Sequence, residues 1–212
     1  FVVAGVFCVV YFKWLISEPS VADYSGAGFC GVSSSNLSAI NSALAGLAST
    51  ATDTSTELQS VVNAYNSVLA ATNGGTAPTL TELQTLGITG LTGSGSTASV
   101  ALLDTVIASL TSADVDTVAE IQALANAASA VVAAASGGAA ITLAQLQTLG
   151  IDAAHADISA VQTALAATAD DGTGVDTLTE LQLLVSTCVS NAAAAITTIT
   201  NYNGTTNAPS VA

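Results

Sequence analysis

The side chains best suited to chemistry lie between residues 152 and 180. His155 is the only histidine, and it stands between Asp152 and Asp157, which is the nearest the sequence comes to an acid–base or metal cluster. A metal or proton-transfer site at a histidine normally needs a second ligand or a partner base of matching geometry. Because no second nitrogen ligand exists, we interpret His155 as a polar loop residue and predict no catalytic site.

The loop 170–176 is the strongest candidate for binding an ion. Asp170, Asp171 and Asp176 lie among two glycines, an oxygen-rich and flexible setting of the kind that Ca²⁺ prefers. The spacing differs from that of an EF-hand, and Glu180 is expected to serve in a helix cap instead of as a bidentate ligand. A plain helix-connecting loop is the favoured interpretation, calcium is the alternative, and no other cofactor is predicted.

The three cysteines, Cys8, Cys30 and Cys188, show no CxxC spacing and are too few for a disulfide scaffold. Cys8 lies in an apolar run, where a free thiol behaves as a small hydrophobe. Cys30 and Cys188 are therefore the candidate disulfide pair in an oxidising compartment, within one subunit or between two.

Two tripeptides match the N-glycosylation acceptor pattern, and they begin at Asn36 and Asn203. We interpret Asn36 as a helix cap, whereas Asn203 lies in a polar tail and is the candidate acceptor. The sequence holds no nucleophile elbow, phosphate-binding glycine loop or Cys–His combination. We therefore predict that the protein is not an enzyme.

Composition narrows the possible partners. The chain is 50% hydrophobic and 8% charged, and Lys13 is its only basic residue against 15 acidic ones, which gives a net charge of −14. Nucleic acid binding needs Lys and Arg to replace counterions on phosphates, so this class of partner is excluded. Low charge with abundant Ser, Thr and Ala favours an extracellular or cell-surface location.

The elements that position these residues follow an internal repeat of about 60 residues. Three sequence elements recur in a fixed order, which chance does not readily produce. In their successive copies, these elements are 53–59, 116–122 and 176–182; 79–88 and 142–151; and 36–40, 99–103 and 157–161.

Each repeat carries its own helix signals. A threonine stands three residues before a glutamate, which is the capping box that begins a helix, at Thr54, Thr79, Thr117 and Thr177. Gly87 and Gly150, each followed by isoleucine, are typical helix stops. The pattern predicts a medium, a long and a short helix per copy, with copies at 36–87, 97–150 and 157–200, the last without its short helix.

The segment 1–16 is apolar except for Lys13 and ends before Glu18 and Pro19. It is shorter than the roughly 20 residues that span a bilayer. Phe1 and the apolar run resemble the start of mature type IV pilins, although Gly5 stands where that family has glutamate. The resemblance implies membrane insertion before assembly and then burial between subunits. A truncated signal or membrane anchor is the alternative. The predicted assembly residues are Phe1, Val2, Val3, Val6, Phe7, Val9, Val10 and Phe12.

These observations predict an all-α protein with an apolar N-terminal helix at 1–18, a linker at 19–35, stacked helical repeats at 36–200 and a polar tail at 201–212. We expect a homo-oligomeric, polymeric structural subunit of an extracellular filament, pilus-like fibre or sheath. The alternative function is a repeat module of a bacterial surface adhesin or surface-layer protein, since the repeats look similar in their Ala/Thr-rich character.

Overall fold

A computed structural model describes residues 18–91, 95–153, 156–169 and 171–202. Within these residues the chain forms nine α-helices and no strand, which confirms the predicted all-α class. Two short 3₁₀ helices, Ser49–Ala51 and Ser112–Val115, precede long α-helices. Residues 1–17 of the predicted N-terminal helix lie outside the described residues. In chain order, α1 to α9 are Val21–Gly26, Leu37–Gly46, Ser55–Ala71, Leu80–Thr85, Ser96–Ser109, Val118–Ala135, Leu143–Thr148, Ile158–Ala166 and Leu178–Thr200.

Helix lengths recur in triplets of short, medium and long. The triplet α1–α3 has lengths of 6, 10 and 17 residues, α4–α6 has 6, 14 and 18, and α7–α9 has 6, 9 and 23. We call these triplets modules 1, 2 and 3. Because a short helix also precedes the first medium helix, the helices can be grouped as three short–medium–long triplets, in which α7 belongs with α8 and α9. In the predicted medium–long–short grouping, no short helix follows α9 within the described residues.

Helix α1 lies inside the stretch that the sequence predicted to be a linker, 19–35. The Ser20 hydroxyl accepts from the Asp23 amide at 3.3 Å, and the Asp23 carboxylate accepts from the Ser20 amide at 2.8 Å, which together form a capping box. At the other end Gly28 has a φ of 87°, and the Phe29 amide donates to the Tyr24 carbonyl at 2.9 Å. The repeat pattern did not predict this helix, because Asp23 stands where the other short helices have Glu or Gln, and Tyr24 and Phe29 stand where they have Leu and Ile.

The capping boxes begin the helices where the sequence predicted. Thr54, Thr79 and Thr117 each accept from the amide three residues on, and the glutamate there accepts from the threonine amide at 2.7 to 3.0 Å. Thr177 accepts from the Glu180 amide at 3.3 Å. Thr142 forms a further capping box with a glutamine, which shows that the short helix α7 begins like α4.

The predicted glycine stops also end the short helices. Gly87 and Gly150 have φ angles of 83° and 78°, a region in which L side chains are strained. The Ile88 amide donates to the Leu83 carbonyl at 3.0 Å, and the equivalent bond in module 3 has the same length. This wraps the chain back over the helix end and buries the isoleucine.

A glycine pair ends the long helix in modules 1 and 2. The first member of each pair, Gly74 or Gly137, has a positive φ. The second has a different requirement, because a Cβ on Gly75 would lie 2.8 Å from the Ala70 carbonyl oxygen, and one on Gly138 would lie 2.6 Å from the equivalent oxygen. Module 3 has no such pair, and α9 continues to Thr200.

Replacing Gly138 with alanine is expected to lower the free energy of unfolding by about 1 to 3 kcal/mol, because the backbone must shift to relieve the contact. Urea denaturation followed by circular dichroism measures the change. Gly26→Ala is the matched control, since a Cβ there meets nothing within 4 Å. Equal destabilisation by both variants would contradict this account of the glycine pair.

The described residues form two compact units. Unit 1 contains 18–91 and 103–126, and there α3 packs against α2, α4 and the second 3₁₀ helix. Unit 2 contains the remaining described residues, and there α8 packs against α9. Each core consists mainly of aliphatic side chains, whose burial supplies the main stabilisation. Fully buried examples are Ile40, Val62, Leu83, Leu103 and Ile121 in unit 1, and Leu102, Val131, Leu146, Val161 and Leu181 in unit 2.

Candidate functional site

One register position in the medium helices carries a polar residue in every module. The aligned elements 36–40, 99–103 and 157–161 place Asn41, Asp104 and Gln162 at this position. Sequence analysis did not single them out, because they differ in type and their partners are distant in the chain. We call this position the medium-helix lock.

In modules 1 and 3 the lock binds the chain just before the short helix. Asn41 is 5% exposed, accepts from the Tyr24 hydroxyl at 2.6 Å and donates to the Pro19 carbonyl at 3.0 Å. The Gln162 side-chain oxygen accepts from the Ile141 amide at 2.9 Å. A buried polar group that is fully bonded in this way fixes one arrangement of neighbouring elements.

In module 2 neither of the two donors that serve this position in the other modules is available. Leu83 occupies the place of Tyr24, so no hydroxyl is available, and Pro78 precedes the short helix, where it has no N–H to donate. Asp104 is half-buried, and its Oδ1 is a buried atom with no hydrogen-bond partner. Burial raises the pKa of Asp104 to about 6.

A second repeated contact fastens the loop after each of the first two short helices. The Gln59 side chain pairs with the main chain of Cys30, accepting from its N–H at 3.0 Å and donating to its C=O at 2.9 Å. Gln122 makes the same pair of bonds with Thr89 at 2.9 and 3.1 Å. Gln182 holds this register position in module 3. Gln59 and Gln122, both half-buried, therefore fix the loops after α1 and α4, a role that the sequence analysis did not assign to them.

Asn36 differs from its predicted role as a cap. It occupies the N-cap position of α2, but its side chain makes no capping bond. Its Nδ2 instead donates to the Gly31 carbonyl and to the Asn66 side chain, both at 2.7 Å, and the residue is 4% exposed. A glycan on this nitrogen would replace one of these two N–H donors at a buried side chain, which argues against Asn36 as an acceptor. Asn203 itself lies outside the described residues.

In the acidic loop, the two described carboxylates, Asp171 and Asp176, have local partners. Asp171 accepts from the amide and hydroxyl of Thr173 at 3.1 and 2.8 Å, and these bonds lower its pKa. Burial and a hydrogen bond with Glu180 raise the pKa of Asp176. Among the described residues no group of three potential metal ligands occurs. Asp170 and His155 lie outside those residues, so the calcium alternative stays a prediction.

The two cysteines proposed as a pair are both free thiols in the structure. Cys30 is exposed in the loop after α1, and Cys188 is buried on α9. Their pairing under oxidising conditions stays a prediction. Cys8 and the predicted assembly residues of segment 1–16 lie outside the described residues.

The apolar face of α9 extends beyond the part of the helix that is buried in the core. Leu181, Val185 and Cys188 are buried at spacings of four and three residues. The same face continues to Ile199, which is 60% exposed, and Tyr202, which is 49% exposed, with Ile196 beside it at 61%. We call residues 192–202 the α9 stripe. By length and composition alone, α6 and α9 are also long and apolar enough to cross a membrane.

Comparison with known protein families, curated proteins and solved structures found no match. The function is therefore inferred from the residues of this chain.

Proposed function

We propose that this chain is a structural subunit that associates with further copies of itself into an extracellular filament, pilus-like fibre or sheath. The observation that carries the proposal is the distribution of charge. All 15 acidic residues lie between Glu18 and Glu180. Residues 1–17 contain only the positive Lys13, and residues 181–212 contain no charged side chain.

This distribution matters because copies with a net charge of −14 repel one another. Two copies approach at the lowest electrostatic cost through surfaces that lack carboxylates. The α9 stripe is such a surface, and it is apolar. Its continuity with the stripe buried under α8 favours a second copy of this chain as the occupant, since the exposed side chains extend an existing helix-packing face.

The body of the protein has the properties of a scaffold. The polar side chains of the repeated motifs hold helix ends and loops, as in the Thr54 cap, the Gln59 pair with Cys30 and the Asn41 lock. We include in the proposal that the modules stack as repeats, burying faces that a unit of about 60 residues cannot bury alone. In this proposal, the apolar segment 1–16 provides a further association surface.

Deleting residues 1–16 is expected to abolish polymers while leaving a helical protein, since each fully buried Val or Phe contributes about 1.5 to 3 kcal/mol. Electron microscopy and sedimentation measure assembly, and circular dichroism measures helix content.

The double variant Ile196→Asn, Ile199→Asn is expected to raise the critical concentration for assembly at least about tenfold.

Leu143→Asn is the control for the double variant. Leu143 is also a large apolar side chain exposed to solvent, but it lies on α7, outside the α9 stripe. It should assemble like the parent chain. Filaments that persist without residues 1–16 would refute the assembly role of that segment, and an unchanged critical concentration in the double variant would refute the role of the stripe.

The repetition of complete modules favours one second candidate, a repeat module of a bacterial surface adhesin or surface-layer protein. Modules that repeat with the same caps and stops can be extended in number without new folding rules. Further modules encoded after residue 212, together with binding to a surface that survives deletion of residues 1–16, would favour this function over the filament subunit.

A further inference from the structure

The medium-helix lock of module 2 differs chemically from those of modules 1 and 3. Asn41 and Gln162 are neutral amides, and each reaches the residue that immediately precedes a short-helix cap, Pro19 or Ile141. The residue in that place in module 2 is Pro78, which precedes the cap at Thr79. Pro78 offers a carbonyl oxygen but no N–H.

An ionised Asp104 cannot use this partner, because a carboxylate only accepts hydrogen bonds. This matches the structure, in which Oδ1 of Asp104 is buried without a donor. A protonated carboxyl group has one O–H to donate and is isosteric with the amide of asparagine. In that form, Asp104 has the donor with which Asn41 binds the Pro19 carbonyl.

We propose that Asp104 makes the medium-helix lock of module 2 depend on pH. The carboxyl group takes up a proton from the solvent and donates its O–H to the Pro78 carbonyl, and this hydrogen bond is broken when Asp104 ionises. Asp104 holds on α5 the register position that Asn41 holds on α2, so the proposed bond would join α5 to the start of α4 as Asn41 joins α2 to the start of α1. The stability of module 2 thus depends on pH, whereas the amides at the equivalent position of modules 1 and 3 do not titrate.

Among the described residues, no neighbouring charge shifts the pKa of Asp104. Asp104 is the only charged residue of α5, and burial is the sole cause of its raised pKa. The other described carboxylates of unit 1 do not contribute to the raised pKa of Asp104, and most are held by their own caps or by each other. These are Glu18 before α1, Asp23 on α1, Asp53 before α3, Glu57 on α3, Glu82 on α4, Asp114 in the second 3₁₀ helix, and Asp116 and Glu120 at the start of α6.

The sign of the effect follows from linkage. The fold raises the pKa of Asp104 from its ordinary value of 3.8 to about 6, so the folded state binds this proton more tightly than the unfolded chain does. The resulting stabilisation is complete below the ordinary value and is lost as the pH rises through about 6. Carboxylates with lowered pKa values, such as Glu57, act in the opposite direction.

The test compares pH profiles of thermal unfolding for the full chain and two reciprocal variants. Asp104→Asn copies the lock of module 1, so its melting temperature should match the parent near pH 4.5 and exceed it by roughly 2 to 4 °C at pH 8. Asn41→Asp should show the reverse, a loss that grows between pH 4.5 and pH 8. Taking differences from the parent profile cancels the unaltered carboxylates.

A nuclear magnetic resonance titration of the Asp104 carboxyl carbon provides a readout that does not depend on variants. A midpoint near 6 supports the proposal. A midpoint near 4, or an Asp104→Asn profile parallel to that of the parent across the whole range, overturns it. Failure of Asn41→Asp to fold leaves the other two measurements decisive.

Discussion

A Tyr65→Ala variant is expected to lose about 3 to 5 kcal/mol of the free energy of unfolding, because a large buried side chain leaves a cavity that the core cannot close. Tyr65 is 1% exposed on α3, and its hydroxyl donates to the Val115 carbonyl at 3.0 Å. The equivalent residues in the other modules are Ala128 and Cys188, so module 1 alone uses a phenol here. Denaturant unfolding of the full chain measures the loss.

Tyr65→Phe separates the hydrogen bond from the packing. It keeps the ring but leaves a buried carbonyl unpaired at Val115, which is expected to cost about 1 to 3 kcal/mol. Burial raises the pKa of the Tyr65 phenol to about 12, which agrees with a hydroxyl that stays protonated as a donor. Tyr202→Phe, at a half-exposed tyrosine on the α9 stripe, should change stability by less than about 0.5 kcal/mol. A Tyr65→Phe loss as small as that would rule out a stabilising role for the bond.

The second large effect is expected at the short helices. A helix of six residues does not persist by itself, so its anchoring leucine must hold it against the core. Leu146 of α7 is fully buried, and Leu146→Ala is expected to lose about 2 to 5 kcal/mol. Leu83 of α4 has the same role in unit 1, and its alanine variant should behave alike.

Amide hydrogen exchange identifies where this loss acts. The Ile151 amide donates to the Leu146 carbonyl at 3.0 Å, so its exchange should accelerate more than that of amides in the middle of α9. Leu143→Ala is the matched control, since Leu143 lies on the same helix and is 40% exposed. Comparable destabilisation by both substitutions would contradict the anchoring role of Leu146.

Local signals in the sequence predicted the helix boundaries well. A cap such as Thr54 with Glu57, or a stop such as Gly87, involves residues within one turn, so the pattern is complete in a few letters. Helix α1 was missed because Asp23 replaces the longer acid of the other caps and Tyr24 replaces a leucine. The same backbone requirements were met by different side chains.

The medium-helix lock was beyond sequence reasoning for a different reason. Asn41 binds partners 17 and 22 residues earlier in the chain, and only the fold brings them together. The burial of Asp104 is likewise a property of packing, since nothing in its flanking sequence separates it from a solvated helix residue. Long-range polar contacts of this kind depend on tertiary structure instead of local pattern.

The capping boxes also determine how this protein responds to ionic strength. Lys13 and His155 are the only basic side chains, and both lie outside the described residues. The capping carboxylates at the described helix starts accept from amides and hydroxyls, as Glu57 and Glu82 do. Dissolved salt screens repulsion between charges over a distance of about 8 to 10 Å at physiological concentration, but it scarcely weakens a hydrogen bond of about 3 Å. We therefore expect concentrated salt to weaken the repulsion between copies of this chain without loosening its helix caps.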